Sequence, residues 1–179
     1  MSEQPEMAIS EAVGGPRADR ANDLAGKYMT FKLAQEAYGL EILRVREIIG
    51  LMEMTRIPRT DRHIRGVINL RGKVIPVVDL RLKFGMEPAE VTDQTVIIVV
   101  QFTQDGEETV MGILVDEVVE VLDVPGSQIE PPPRFGGEAG KIDFILGVGK
   151  SEERVLFLLD IGKVLGGETH APTDGLVAA

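Results

Sequence analysis

Apolar residues fall in short runs along the middle of this chain, at strand spacing and with turn residues between them. Met29, Phe31 and Leu33 alternate with polar neighbours, as in a half-buried strand. After a turn at Gln35 to Ala37, Tyr38 to Ile42 reads as a second strand, and a short helical turn from Leu43 leads into a third that ends near Ile49. Ile57-Pro58 marks an extended boundary, and Arg59 to Arg65 form a polar connection. The most informative stretch is Gly66 to Arg81. It predicts a strand, a tight turn at Arg71-Gly72 shaped by Asn69 and Gly72, and a second strand in which Val74, Ile75, Val77 and Val78 are buried on both faces. Asp79 then opens a short helix.

The chain writes this pattern twice. A shift of 81 positions carries Gly66 onto Gly147, Val67 onto Val148, Val74 onto Val155 and Asp79 onto Asp160. A shift of 73 carries Gly39 onto Gly112, Val45 onto Val118 and Glu47 onto Glu120. Val96 to Phe102 matches the first strand. The shift grows by eight because the connection 123–143, with Pro131 to Pro133 and Gly136-Gly137, is longer than 50–62. Each copy closes with an Asp at an N-cap and a Gly at a helix stop, in Asp79 to Gly85 and Asp160 to Gly166. In these helices Leu80 with Phe84, and Ile161 with Leu165, are spaced to face a core.

Two copies of about five short strands, each finished by one turn of helix, predict an all-β molecule of two small closed barrels, 27–91 and 92–166. Closure hides the edges of Val- and Ile-rich strands. A single larger sandwich is the rival architecture. Residues 1–26, rich in Ala, Gly, Glu, Asp and Pro without a period, are expected to be a disordered tail, and 167–179 a second loose one.

Charge adds an asymmetry. The net charge is −10, yet residues 27–91 hold 12 basic against 8 acidic groups, and residues 92–179 hold 5 against 16. Such halves suit head-to-tail contacts, or are simply solvated faces. The absence of cysteine excludes disulfides and thiolate zinc sites and suits a reducing cytoplasm. No signal pattern opens the chain, and its longest apolar run, Val96 to Val100, is far short of the about 20 residues a bilayer requires, so a soluble protein is expected.

Catalytic chemistry finds little support. Gly147-Val-Gly-Lys-Ser151 resembles the end of a phosphate-binding loop, but Phe144 stands where the first glycine is needed, and a strand rather than a helix follows. His63 and His170 have no neighbouring carboxylate or nucleophile. Asp116-Glu117 and Glu152-Glu153 are adjacent, point to opposite faces of a strand and read as solvated surface. No metal-ligand cluster and no cofactor motif appears, so neither an enzyme nor a cofactor is expected. Arg56, Arg59, Arg62, Arg65 and Arg71 form a basic run, which keeps a small-barrel nucleic-acid-binding protein as the alternative. Against it stand the acidic total, the absence of Trp and the lack of aromatics among the arginines.

The series Tyr38-Gly-Leu-Glu-Ile42, Val45-x-Glu47-Ile48, Ile64-x-Gly66-Val67-x-Asn69-Leu70-Arg71-Gly72 and Ile75-Pro-Val-Val-Asp-Leu-Arg81 resembles the bacterial chemotaxis coupling proteins of the CheW family. Gly112-Ile-Leu-Val-Asp116 and Val118 continue the likeness, which spans about 27–166. The resemblance implies two pseudo-symmetric five-stranded SH3-like β-barrels and a non-enzymatic adaptor. Such an adaptor is cytoplasmic and reaches the membrane only through receptors. It joins the cytoplasmic tip of a chemoreceptor, a methyl-accepting chemotaxis protein, to the regulatory domain of the histidine kinase CheA. It also associates head to tail in rings.

The receptor tip is expected in an apolar groove between the barrels. Val45, Leu70 and Val118 would line it, with Glu47, Gly66, Asn69, Arg71 and Gly112 at positions matching the family's motifs. Plainer readings stand beside these. Arg71 is also a surface turn residue within reach of Asp79 or Glu47, Val45 and Val118 are also barrel core, and Gly66 and Gly112 also serve backbone geometry. Residues facing the kinase are not identified by the motifs.

Overall fold

The computed structural model describes residues 23–132 and 143–166. The expectations for 1–22 and 167–179 therefore lie outside the described residues, as does Gly136-Gly137. Strands β1 (Gly26–Leu33), β2 (Glu36–Glu41), β3 (Val45–Gly50), β4 (Ile64–Leu70) and β5 (Lys73–Asp79) precede a helix at Leu80–Lys83. The second copy supplies β6 (Val96–Gln104), β7 (Glu107–Val115), β8 (Glu117–Val124), the short β9 (Ile129–Glu130), β10 (Ile145–Ser151), β11 (Arg154–Leu159) and a helix at Ile161–Leu165. The predicted tail gives up its last residues to the fold. Gly26 begins β1, Leu24 packs on the barrel beyond it, and the Tyr28 hydroxyl donates to the Leu24 carbonyl at 2.6 Å.

The strands form two sheets of SH3-like barrel type, ordered β8-β1-β2-β11-β10-β9 and β3-β6-β7-β5-β4. Exchanging the two halves of the sequence turns one order into the other, apart from the added β9. The duplication is therefore real in three dimensions, but the two copies are interwoven. Each sheet joins the first hairpin of one half to the later strands of the other, through the parallel pairs β2–β11 and β5–β7. The division at 91/92 thus does not separate the sheets. β2 is hydrogen-bonded on both sides, to β1 and β11, so β3 has no free edge beside it and pairs with β6.

Among the described residues, three cores follow from this weave. Alternate residues of a strand serve different ones. On β6, Ile97 and Val99 fill the interior of their own barrel, while Ile98, Val100 and Phe102 enter a central cluster shared by both barrels. On β11, Leu156 and Leu158 fill the other barrel, and Leu159 joins the centre. Both closing helices point inward at the centre, through Leu80 and Phe84 and through Ile161 and Leu165. Asp79 caps the first by accepting from the amides of Arg81 and Leu82, and Asp160 caps the second by accepting from Lys163. Gly85 has φ +77, as a helix stop requires, whereas Gly166 stays helical at φ −55. One buried-strand expectation fails. Val74 is 58% exposed, because it flanks the hairpin turn where no second layer covers the sheet.

Candidate functional site

The turn at Arg71-Gly72 is built by local chemistry. Both residues are left-handed, at φ +52 and +85, as a two-residue hairpin turn demands. The Asn69 side-chain oxygen accepts from the Gly72 amide at 2.9 Å. Asn69 and Gly72 thereby present Arg71, whose side chain is 72% exposed, in a fixed direction. Its two terminal nitrogens donate to the two carboxylate oxygens of Glu47 at 2.8 and 2.9 Å, a bidentate fork. Glu47 lies on β3 and Arg71 follows β4, the two strands at opposite ends of the sheet order. The pair therefore bridges a gap that backbone hydrogen bonds leave open. Hydrogen bonding from Arg71 is the main reason the Glu47 carboxyl titrates below its ordinary value, and the same bonds raise the Arg71 guanidinium.

The twin barrel does not repeat this pair. Glu120 and Glu152 occupy the equivalent positions, so two carboxylates stand where barrel one has an ion pair. There Thr30 ties β1 to the β8 backbone instead, donating to the Glu120 carbonyl at 2.8 Å and accepting from its amide at 3.1 Å. The pseudo-symmetry is broken at the tip that carries Arg71.

Val45 and Val118 are half-buried and pack against the central cluster, so both lie on the seam between the barrels. Leu70 does not. It packs over the interior of its own barrel, because β4 ends at the turn and directs that side chain inward. Gly66 and Gly112 are buried, and close backbone approach accounts for both. A Cβ on Gly66 would stand 2.3 Å from the Thr55 carbonyl oxygen, where Thr55 bridges Val67, and its φ of +141 disfavours any side chain. Its copy Gly147 makes the same room for Glu130. A Cβ on Gly112, at the parallel β5–β7 joint, would stand 2.8 Å from the Ile97 side chain.

Asp116 departs from the solvated-surface reading. It accepts from the Ala34 amide at 2.7 Å and pairs with Arg81, tying the β1–β2 turn to the first helix. Glu152-Glu153 form a turn rather than lying across a strand. The segment Gly147 to Ser151 is strand β10. Among the described residues, no group of three or more His, Asp or Glu is placed to hold a metal, and no helix is long and apolar enough to cross a membrane. Sequence reading missed the exposed Val74 and Val155, at 58% and 52%, which flank equivalent hairpin turns of the two barrels. The shift of 81 that pairs them is their only signal in the sequence.

Residues 27–168 match the model of the CheW-like domain. The chain is 40% identical to the chemotaxis protein CheW of Klebsiella aerogenes over 84% of its own length and 87% of that protein. It is 34% identical to the chemotaxis protein CheW of Bacillus subtilis, over 80% and 88%. The crystal structure of the scaffolding protein TtCheW from Thermoanaerobacter tengcongensis superposes with a TM-score of 0.67 at 35% identity, covering 76% of this chain and 90% of that one.

Proposed function

Because this chain belongs to the CheW-like domain family, whose members include chemotaxis and scaffolding proteins, we propose that it is a non-catalytic adaptor. In this reading it couples the cytoplasmic tip of a chemoreceptor to the regulatory domain of the histidine kinase CheA. The observation that carries the receptor half is the Glu47–Arg71 fork, exposed, preformed and absent from the twin barrel. A helical hairpin tip needs an apolar trough with a polar rim. Val45 and Val118 supply apolar surface on the seam, and Glu47, Asn69 and Arg71 supply the rim. Arg71 recognises by exchange, giving up one carboxylate for another or sharing it with a partner's carbonyl groups. Gly66 and Gly112 contribute by allowing the strands to approach, and Leu70 by supporting the turn. The equivalent exposed Val74 and Val155 are apolar patches for the kinase domain and for head-to-tail association in rings, which the unequal charge of the two halves favours. The protein reaches the membrane through its receptors.

The test is co-precipitation of the purified chain with a receptor cytoplasmic fragment and with a CheA kinase, with RNA as the control. Both proteins, and not RNA, are expected to be retained. Arg71→His should lower receptor-dependent kinase stimulation while leaving unfolding stability within about 1 kcal/mol, as for other surface changes. Retention of RNA alone, or full stimulation by Arg71→His, would refute the reading.

A further inference from the structure

Three of the four arginines left unused by the Glu47–Arg71 site, Arg56, Arg62 and Arg65, converge on a cavity. A depression of about 470 Å³ is lined by Met54, Arg56, Arg62, Ile64, Arg65 and Leu82. It opens where β4 begins, whereas Arg71 lies past the other end of that strand, roughly 20 Å away at the rise of an extended chain. Arg65 donates to the buried Asp79 carboxylate at 3.3 Å, which fixes its guanidinium at the wall. Arg56 and Arg62 are exposed and have no ion-pair partner among the described residues. The surrounding segment 53–65 holds four arginines against the carboxylates of Glu53 and Asp61.

The fold does not require these arginines. In the twin barrel the same corner is made with Pro131 for Arg56, Asp143 for Arg62 and Leu146 for Arg65, while the floor stays apolar as Ile129 for Met54 and Ile145 for Ile64. Asp160 caps its helix there without an arginine beside it. Barrel one thus carries three guanidiniums that its structural copy does without, and its floor is completed by Leu82 where the copy has Lys163.

We propose that this cavity receives an acidic segment of a partner protein, a carboxylate side chain beside an apolar one. The guanidinium forks of Arg56 and Arg62 match a carboxylate in two-point geometry. The Met54, Ile64 and Leu82 floor takes the apolar neighbour, which a free phosphate would leave unused. The lining holds no aromatic ring on which a nucleic-acid base would stack. This surface is separate from the coupling role above, and its test uses neither receptor nor kinase.

A fluorescein-labelled ten-residue peptide alternating Glu and Leu is titrated into the full chain, with anisotropy as the readout at low and moderate salt. Saturable, salt-weakened binding is expected. Arg56→Ala/Arg62→Ala should weaken it about tenfold or more, as loss of charged hydrogen bonds does, with an unchanged thermal midpoint. Arg71→Ala should leave it within about twofold, since Arg71 is remote. Equal binding by the double variant, equal binding of a Gln–Leu peptide, or tighter arginine-dependent binding of orthophosphate or a single-stranded oligonucleotide would overturn the proposal. So would a salt-sensitive dimer of the chain that the double variant abolishes, which would make a second copy the occupant.

Discussion

Glu47 and Arg71 sit 24 residues apart and meet because a two-residue turn aims one at the other. The depressed Glu47 value has a definite sign in pH. Its charged form is favoured in the folded state, so the stabilising contribution is present above the ordinary glutamate range and is lost as pH falls through the lowered value. A carbon-detected titration should find the Glu47 midpoint below the ordinary one in the native chain. In Arg71→Gln it should return to the ordinary range, and an unmoved midpoint would mean that the fork does not hold in solution. Burial acts the other way on Tyr28, whose phenol is raised to about 12, chiefly by desolvation and then by Glu41. That contribution is complete below the ordinary tyrosine value and is lost as pH rises from 10 to about 12, so alkaline unfolding should begin in that interval and be flatter in Tyr28→Phe. Gly66→Ala must push against the Thr55 carbonyl at 2.3 Å in a disfavoured backbone region. It should cost over about 2 kcal/mol in denaturant unfolding, whereas a change below about 0.5 kcal/mol would mean that the Thr55 bridge yields easily.

The two closing helices test how alike the copies are. Asp79 accepts from two amides and from Arg65, and Asp160 from the Lys163 amide. Asp79→Ala should therefore destabilise by more than Asp160→Ala, with the second near the about 1 kcal/mol typical of a lost cap. Equal losses would show that Arg65 adds nothing. These caps were readable in advance, because a capping Asp followed by an apolar i, i+4 pair is a local signal. So was the hairpin at Arg71-Gly72, for the same reason. The exposure of Val74 was not, since β-branched residues look alike whether or not a second layer covers them. Leu70 faces its own barrel rather than the seam because a strand's last residue faces whichever core the turn dictates, and one slip in period reverses it. The short β9 was hidden by the prolines after it, although its partner in the first copy, the Thr55–Val67 bridge, occupies the same place.

For the whole molecule the duplication was legible and its weave was not. Exchange of hairpins between the halves still sets equivalent strands beside equivalent strands, so the pattern of apolar positions does not reveal it. What changes is which stretches can stand alone. Residues 27–91 contribute β1 and β2 to one sheet and β3 to β5 to the other, so that fragment lacks the β6–β7 pair that completes its own barrel. Expressed by itself it should fail to unfold cooperatively, and mixing it with 92–166 should restore the transition. A cooperative melt of 27–91 alone would contradict the interwoven sheets. The Asp116 link between the first helix and the β1–β2 turn belongs to this level too, since it crosses from one half to the other.

The coupling role rests on the seam and its rim meeting a helical guest. The most direct measurement is an amide-shift titration of the labelled full chain with a receptor cytoplasmic fragment. Shifts should concentrate at Val45, Glu47, Asn69, Arg71 and Val118, and the β10–β11 turn, where Glu152 stands in place of Arg71, should stay unchanged. Shifts absent from the Glu47–Arg71 rim, or confined to the twin barrel's tip, would contradict it.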